Sequence, residues 1–431
     1  MRFSYLTRLA IFIILICIFF FKSSSATLAV DSNGYWEKIG PLNTPRISSG
    51  IALLNNGKVL ITGSYNSLGP LNSAEIYNPS TKTWSTTGSM ITPRQIQTGP
   101  GVAKFSDGNV LIAGHHINSQ LIGSPLAEIY DASLGTWSSA ANLNKPRFHA
   151  TLLPLPNDRA ILAGGSTGTS AWSNIAEIYD YKTKTWTRTG DLKIARQQNL
   201  YSLALKNGKV ILVGGDSSFG PQNTSEVYDP STGQWVLSTM PFISNYSAIT
   251  ELDDGKVFAA GSYTGSTVLS NAAIYDPKTN IWSQITPMPE ARAGATAVLL
   301  GDKNILLVGG NDGAQYFKHS LIYNAQSNSW STGPSLPTGF NGAAFVKLQN
   351  GDYLFTAADE GNAKPGSSTY LFTNGNNSTY LNVPYFGQND ELWGTQEYDS
   401  ASEWKPAVKN TSIGAWGCAL TSAVMILKYH K

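Results

Sequence analysis

Residues 210–235 read VILVGGDSSFGPQNTSEVYDPSTGQW. An apolar run ends in the doublet Gly214-Gly215, Tyr228 closes a second short run, a polar turn follows, and Trp235 opens the next run. Short runs rich in Val, Ile, Tyr and Trp, punctuated by Gly, Pro, Asp and Ser, predict antiparallel strands joined by tight turns. The same order of signals recurs along the chain. Tyr stands seven residues before Trp in Tyr77/Trp84, Tyr130/Trp137, Tyr179/Trp186, Tyr228/Trp235, Tyr275/Trp282 and Tyr323/Trp330, whereas Trp36 has no such tyrosine. The apolar runs end in Gly at 63, 114, 164, 214, 261 and 309, a period of 47 to 51 residues. Asn56-Gly57, Asp107-Gly108, Asn207-Gly208 and Asp254-Gly255 precede four of the runs and are read as hairpin turns that need positive φ angles. A chain of 431 residues suggests two or three domains. The repeat overrides that expectation, because units of this length stack into one array.

The pattern of a Gly doublet after an apolar strand, then Tyr, then Trp at fixed spacing resembles the kelch repeat. It stands as Gly164-Gly165…Tyr179…Trp186, Gly214-Gly215…Tyr228…Trp235 and Gly309-Gly310…Tyr323…Trp330. Gly63-Ser64, Gly114-His115 and Gly261-Ser262 depart from the doublet. The resemblance implies an all-β fold, a β-propeller over residues 34–373 with four strands per blade, and it is nearly silent on function. The last unit, with its turn at Asn350-Gly351 and its runs Tyr353 to Ala357 and Thr369 to Phe372, lacks a Trp strand. Trp36 sits in a strand without a preceding unit. Joining the two predicts seven blades, with the Trp36 strand closing the ring, since closure removes sheet edges. Six blades, with 340–373 outside the ring, is the alternative.

The repeated Tyr and Trp read as core packing between blades. Ten residues after each Trp lies a position that is usually arginine: Arg46, Arg94, Arg147, Arg196 and Arg292, with Phe340 after Trp330. These arginines precede the strand that leads into each blade and are candidates for a ligand-facing rim that binds an anionic glycan or peptide. The structural reading is a guanidinium fork satisfying loop carbonyls between blades.

The composition is 42% hydrophobic, 11% aromatic and only 13% charged, with 41 Gly and a net charge of +2. No Lys/Arg cluster marks a nucleic-acid face, so no nucleic-acid partner is expected. Arg2 and Arg8 precede the thirteen-residue apolar run Leu9 to Phe21, and Ser24-Ser25-Ala26 offers a cleavage site. Residues 1–26 therefore read as a signal peptide, or as a membrane anchor if uncleaved, and the protein as secreted or at the cell surface. Membrane contact is expected only through this segment. The two cysteines are Cys17 and Cys418, so the mature chain holds one thiol. Kelch-like propellers include the galactose oxidase type, whose copper is held by Tyr and His with a Cys–Tyr crosslink. This propeller has no cysteine between residues 18 and 417, and His115, His116, His149 and His319 occupy unrelated repeat positions. No cofactor or metal is expected.

Residues 374–380 read as a linker. Beyond them the pattern changes, and the apolar run from Cys418 to Tyr429 reads as a buried α-helix. A thiol at a helix N-terminus has its pKa lowered and becomes a nucleophile. An upstream amide such as that of Gln388 can donate to a developing oxyanion. Val383-Pro384-Tyr385-Phe386-x-Gln388 followed by Gly417-Cys418-Ala419-x-Thr421-Ser422-x-x-Met425-x-Leu427 resembles the opening of a papain-like cysteine peptidase of the bacteriocin double-glycine-leader type. The resemblance implies Cys418 as nucleophile and Gln388 in the oxyanion hole. His430 would lie roughly 18 Å along the helix from Cys418 and cannot serve as the base. Residues 381–431 are thus expected to be an incomplete peptidase-like domain, inactive on these residues alone. The expected function is an exported propeller that binds a protein or glycan, fused to that segment. The alternatives are part of a longer active peptidase, or a purely structural adhesion protein.

Overall fold

The computed structural model describes residues 34–375, apart from 96–100, 115–122, 169–171, 302, 357 and 362–363. Residues 1–33 and 376–431 lie outside it, and with them the signal or anchor segment, most of the linker, Gln388, Cys418 and the expected C-terminal helix. The described chain is all-β and forms a seven-bladed propeller. Six blades are consecutive antiparallel strands. Blade 1 comprises Gly50–Leu53, Val59–Thr62, Ala74–Asn78 and Thr83–Thr86. Blade 2 comprises Ala103–Lys104, Val110–Ala113, Ala127–Asp131 and Thr136–Ala140. Blade 3 has Thr151–Leu155, Arg159–Ala163, Ala176–Asp180 and Thr185–Arg188. Blade 4 has Gln197–Ala204, Val210–Ser217, Thr224–Asp229 and Gln234–Thr239. Blade 5 has Ala248–Glu251, Val257–Tyr263, Val268–Asp276 and Ile281–Gln284. Blade 6 has Thr296–Gly301, Asn304–Val308, His319–Asn324 and Ser329–Ser335.

Blade 7 is composite. Its first three strands are Ala344–Lys347, Tyr353–Thr356 and Thr369–Thr373, and its outer strand is Tyr35–Ile39 from the start of the propeller. Trp36 pairs in register with Phe372, with ring centroids 4.9 Å apart. The closure expected from the sequence is therefore the one observed, and Phe372 stands where the other blades carry tyrosine.

The second strand of each blade is sandwiched between neighbouring sheets, which is why its run does not alternate. Val59, Leu60 and Ile61, and likewise Val210, Ile211 and Leu212, have no exposed surface. Tyr and Trp of each repeat are cross-strand partners, as in Tyr77↔Trp84 and Tyr228↔Trp235, with centroids 5.2 and 5.0 Å apart. Six of the seven indoles then reach back to the blade before their own, the exception being Trp137, whose buried Nε1 has no partner. Trp84 donates to Thr369 Oγ1 of blade 7 at 3.0 Å, Trp282 to Ser225 Oγ of blade 4 at 2.8 Å, and Trp36 to the Pro334 carbonyl of blade 6 at 3.1 Å. The aromatic repeat is thus the staple between blades, combining area burial with one directional bond.

The Asx-Gly turns differ in detail from the expectation. Gly57, Gly108, Gly208 and Gly255 take positive φ, but the preceding Asn or Asp does not. Gly57 donates to the Leu54 carbonyl, and the Asn56 side chain accepts from the Lys58 amide. The Asx residue therefore closes its own turn by a side-chain bond, and only Gly needs the left-handed region. Gly214 shows a stricter need: at φ +69 a Cβ there would collide with the Ser244 carbonyl oxygen of the segment leading into blade 5.

Candidate functional site

The repeated arginines were candidates for a ligand-facing rim, beside the reading of a guanidinium fork between blades. Arg46, Arg94, Arg147, Arg196 and Arg292 are completely buried, which removes them as a rim that touches ligand. Arg196 donates to the carbonyls of Gly214 and Thr224, to Thr224 Oγ1, and to Glu226 Oε1 at 2.8 Å. Arg46–Glu75, Arg94–Glu128 and Arg147–Glu177 repeat this pairing at 3.0, 2.7 and 2.6 Å. Each glutamate also accepts two amides of the lead-in segment, as Glu226 does from Lys193 and Ile194. The fork reading is the one the geometry realises: a buried ion pair that pins the loop entering each blade. Burial pushes all five guanidiniums below their ordinary range, with Arg147 down to about 10, while the facing carboxylates oppose that shift.

Two blades break the pattern together rather than singly. Blade 7 has Phe340 against Tyr370, stacked at 6.3 Å. In blade 5 the ten-residue spacing fails. Met240 bonds Asn223 as Met90 bonds Asn72, but it lies five residues after Trp235, whereas Met90 lies six after Trp84. The arginine position there is Ser244, not Asn245. Blade 6 keeps Arg292 but has Leu321 at the glutamate position, and Glu290 supplies the carboxylate, shared with His319 Nε2 at 2.6 Å.

In the six blades where both are described, the lead-in segment then pairs with the turn after the second strand of its own blade, on one rim of the ring. The bridges are Ile47↔Tyr65, Phe148↔Ser166, Gln197↔Asp216, Ala293↔Asn311 and Asn341↔Asp359, and Tyr263 donates its amide to the Asn245 carbonyl. The outer partner is always two residues past the end of the apolar strand: Tyr65, Ser166, Asp216, Tyr263, Asn311, Asp359. His116 holds this position in blade 2, outside the described residues. One residue inward, five blades carry a left-handed residue, Ser48, His149, Tyr246, Gly294 and Gly342, at φ +52 to +67. Gly294 donates to the Tyr246 carbonyl and Gly342 to the Gly294 carbonyl, so neighbouring blades are laced together at the mouth. Non-glycine residues held at positive φ concentrate where the surrounding structure enforces them, often at binding sites.

These rings surround a central channel of about 620 Å³, lined at this end by Ile47, Ser48, Tyr65, Tyr246, Asn341 and Asp359. That size is normal for a ligand site. Tyr246 is 37% exposed. Its hydroxyl is pushed up by burial and then by Asp216, Tyr263 and Tyr65, and that of Tyr65 by burial and then Asp359. Tyr201, also on the channel wall, is raised by burial and by Tyr246. The tyrosines and two carboxylates of blades 1, 4, 5 and 7 thus share one mouth. Repeat scanning for Tyr and Trp missed it; the available signal was the position two after each strand-ending Gly, where residue type changes from blade to blade.

Residues 53–91 match a Kelch motif, and residues 149–357 match the KLHDC2/KLHL20/DRC7 Kelch-repeats domain. No curated protein is significantly similar to the chain. A solved structure described as a novel fungal alcohol oxidase with catalytic diversity among the AA5 family, in complex with copper, superposes with a TM-score of 0.61 at 16% identity over 79% of this chain and 76% of its own. That likeness is one of fold. The described residues contain no group of three His, Cys, Asp or Glu able to hold a metal ion. What the chain builds from its Kelch repeats is a seven-bladed β-propeller of the galactose-oxidase-like fold.

Proposed function

We infer that the propeller is a binding module that takes a protein ligand at the mouth formed by the lead-in segments. The carrying observation is the division of labour inside the repeat. The buried Tyr–Trp staple recurs with little change, while the mouth position presents Tyr65, Ser166, Asp216, Tyr263, Asn311 and Asp359 in turn. A repeated scaffold whose concave face changes residue type from blade to blade is arranged for recognition. Two apolar tips favour a protein over a glycan: Leu68 and Phe219, 93% and 92% exposed, stand on hairpins of blades 1 and 4 on this same rim. Such side chains gain area against a protein surface. Peptide and glycan arrays incubated with the full chain test the reading. Peptide binding that weakens in Leu68→Ser/Phe219→Ser is expected. Binding to glycans alone would replace the protein ligand with a glycan, and binding to neither would remove the module reading.

In the same proposal residues 1–26 export the module or anchor it at the cell surface, with Thr27 as the mature N-terminus detectable by mass spectrometry. Residues 381–431 are the opening of a cysteine peptidase-like domain, inactive on these residues alone, with Cys418 as nucleophile and Gln388 at the oxyanion by resemblance. A thiol-directed activity probe should not label Cys418 in a way that depends on His430.

A further inference from the structure

We propose that the channel mouth receives a basic side chain, Lys or Arg, of the protein ligand, with the tyrosine faces and the carboxylates of Asp216 and Asp359 as its receptor. The inference rests on the binding-module reading and names the chemistry of its ligand. The arginines that could have made this rim attractive to anions are all buried and all paired with carboxylates. Among the described residues, Asp359 lines the channel at this end, and Asp216 lies close enough to Tyr246 to push its hydroxyl up. Lys104 is the cation among the described channel-lining residues, and its ammonium is held by Asn55 Oδ1 at 2.8 Å, in the hairpin of the opposite rim.

The receptor is fixed in place before any ligand arrives. Asp359 accepts from the Tyr316 hydroxyl at 2.9 Å and from the Gly361 and Lys364 amides at 2.9 and 3.1 Å. Asp216 accepts from Asn245 Nδ2. Tyr246 is held by its left-handed backbone and by the Gly294 amide. Preorganised acceptors lose little ordering entropy on binding. A cation over a tyrosine face gains from the ring quadrupole, more so when partly desolvated. Below the mouth the wall turns apolar through Ala248, Ile249, Ala295 and Ala297. That wall suits the aliphatic stem of Lys or Arg, which buries methylenes while its head stays among polar groups. Neutral sugars would use the tyrosine faces but would gain no charge-assisted contact from the carboxylates.

The test is fluorescence anisotropy of the full chain with labelled tetra-arginine, tetra-lysine, tetra-glutamate and a neutral oligosaccharide. The basic peptides should bind about tenfold or more tighter than the other two. Their affinity should fall as salt rises from about 50 to about 200 mM, because the mouth is open to screening. Asp359→Asn and Asp216→Asn should each weaken binding about fivefold or more, the range of one charge-assisted contact. Asp359 also organises its loop, so Tyr246→Asn is the second variant: Asn tolerates positive φ, and the melting temperature should stay put while the basic peptides lose affinity. Tighter binding of tetra-glutamate, or basic-peptide affinity indifferent to all three variants, overturns the proposal. If array peptides bind without any preference for basic residues, this inference falls and the module reading stands. If no peptide binds, both fall.

Discussion

Blades 4 and 7 solve one problem with opposite chemistry. In blade 4 the space under the lead-in segment is filled by Arg196 and Glu226, a charged pair with no exposed surface that also gathers two loop amides. In blade 7 the same space holds Phe340 and Tyr370, stacked and uncharged. The repeat therefore specifies a filled pocket rather than an arginine, and it tolerates a buried polar atom without a partner in each, Arg196 Nε and the Tyr370 hydroxyl. The two positions change as a unit: an isolated buried charge is costly, whereas a matched pair and an apolar pair can be comparable in stability. Blade 6 follows the same logic, where Glu290 replaces the glutamate missing opposite Arg292.

The sharpest way to break this comparison is to remove half of one pair. Glu226→Ala leaves the buried Arg196 guanidinium without its counter-charge and the Lys193 and Ile194 amides without an acceptor, so we expect a loss of about 3–5 kcal/mol in denaturant unfolding. The double variant Arg196→Phe/Glu226→Tyr, which copies blade 7, should recover most of it. A loss under about 1 kcal/mol for the single variant, the size of an exposed pair, would mean that the pair is not buried in solution.

A second comparison sets the seam that closes the ring against the seams within the chain. Trp84 crosses the closing seam to Thr369, and Trp235 crosses an internal one to the Gly190 carbonyl at 2.9 Å. Trp84→Phe removes one hydrogen bond and part of a ring, for an expected loss of about 1–2 kcal/mol. Trp235→Phe should cost the same. A much larger loss at Trp84 would identify the closing seam as the weak point of the ring.

The fold was legible because its signals are local and repeated. The apolar runs, the Asx-Gly turns and the Tyr–Trp spacing each report a strand or turn directly, and the defects at Trp36 and after Phe372 named the closure. The arginines were visible as a period, but their burial was not. Their partners Glu75, Glu128, Glu177 and Glu226 lie about thirty residues away, on a strand whose alternation hides which face a carboxylate takes. The one-residue shortening between Trp235 and Met240 was missed because counting from Trp assumes an unbroken register, and only the hydrogen bond from Met240 to Asn223 locates Ser244. The mouth was least legible. Tyr65, Asp216, Tyr263 and Asp359 share no residue type, and their common feature is a place in the ladder that exists only once the blades are folded.

The smallest effect expected lies in the outer turns, whose carboxylates sit in water, unlike the buried glutamates. Asp229 accepts from the Ser231 hydroxyl at 2.6 Å and the Ser231 amide at 2.9 Å, and pairs with Lys209 at 2.9 Å. The Ser231 hydroxyl first, and Lys209 after it, hold its carboxyl well below the usual carboxylate range. Asp131, in the corresponding turn of blade 2, is lowered by the Ser133 hydroxyl and then the Leu134 amide. A folded-state value below the unfolded one of about 3.9 means that the unfolded chain takes up protons first as pH falls. The stabilisation from these turns is complete above about pH 4 and drains away as pH drops through the lower folded values. Thermal melts from about pH 6 to about pH 2 should therefore show stability falling on the acid side, with Asp229→Asn removing a small part of that slope. At neutral pH the same variant should melt near the parent, because an Asn amide oxygen still closes the turn and only the Lys209 pair is lost, which an exposed site makes worth little. An unchanged acid slope in Asp229→Asn would show that this turn carries none of the acid sensitivity.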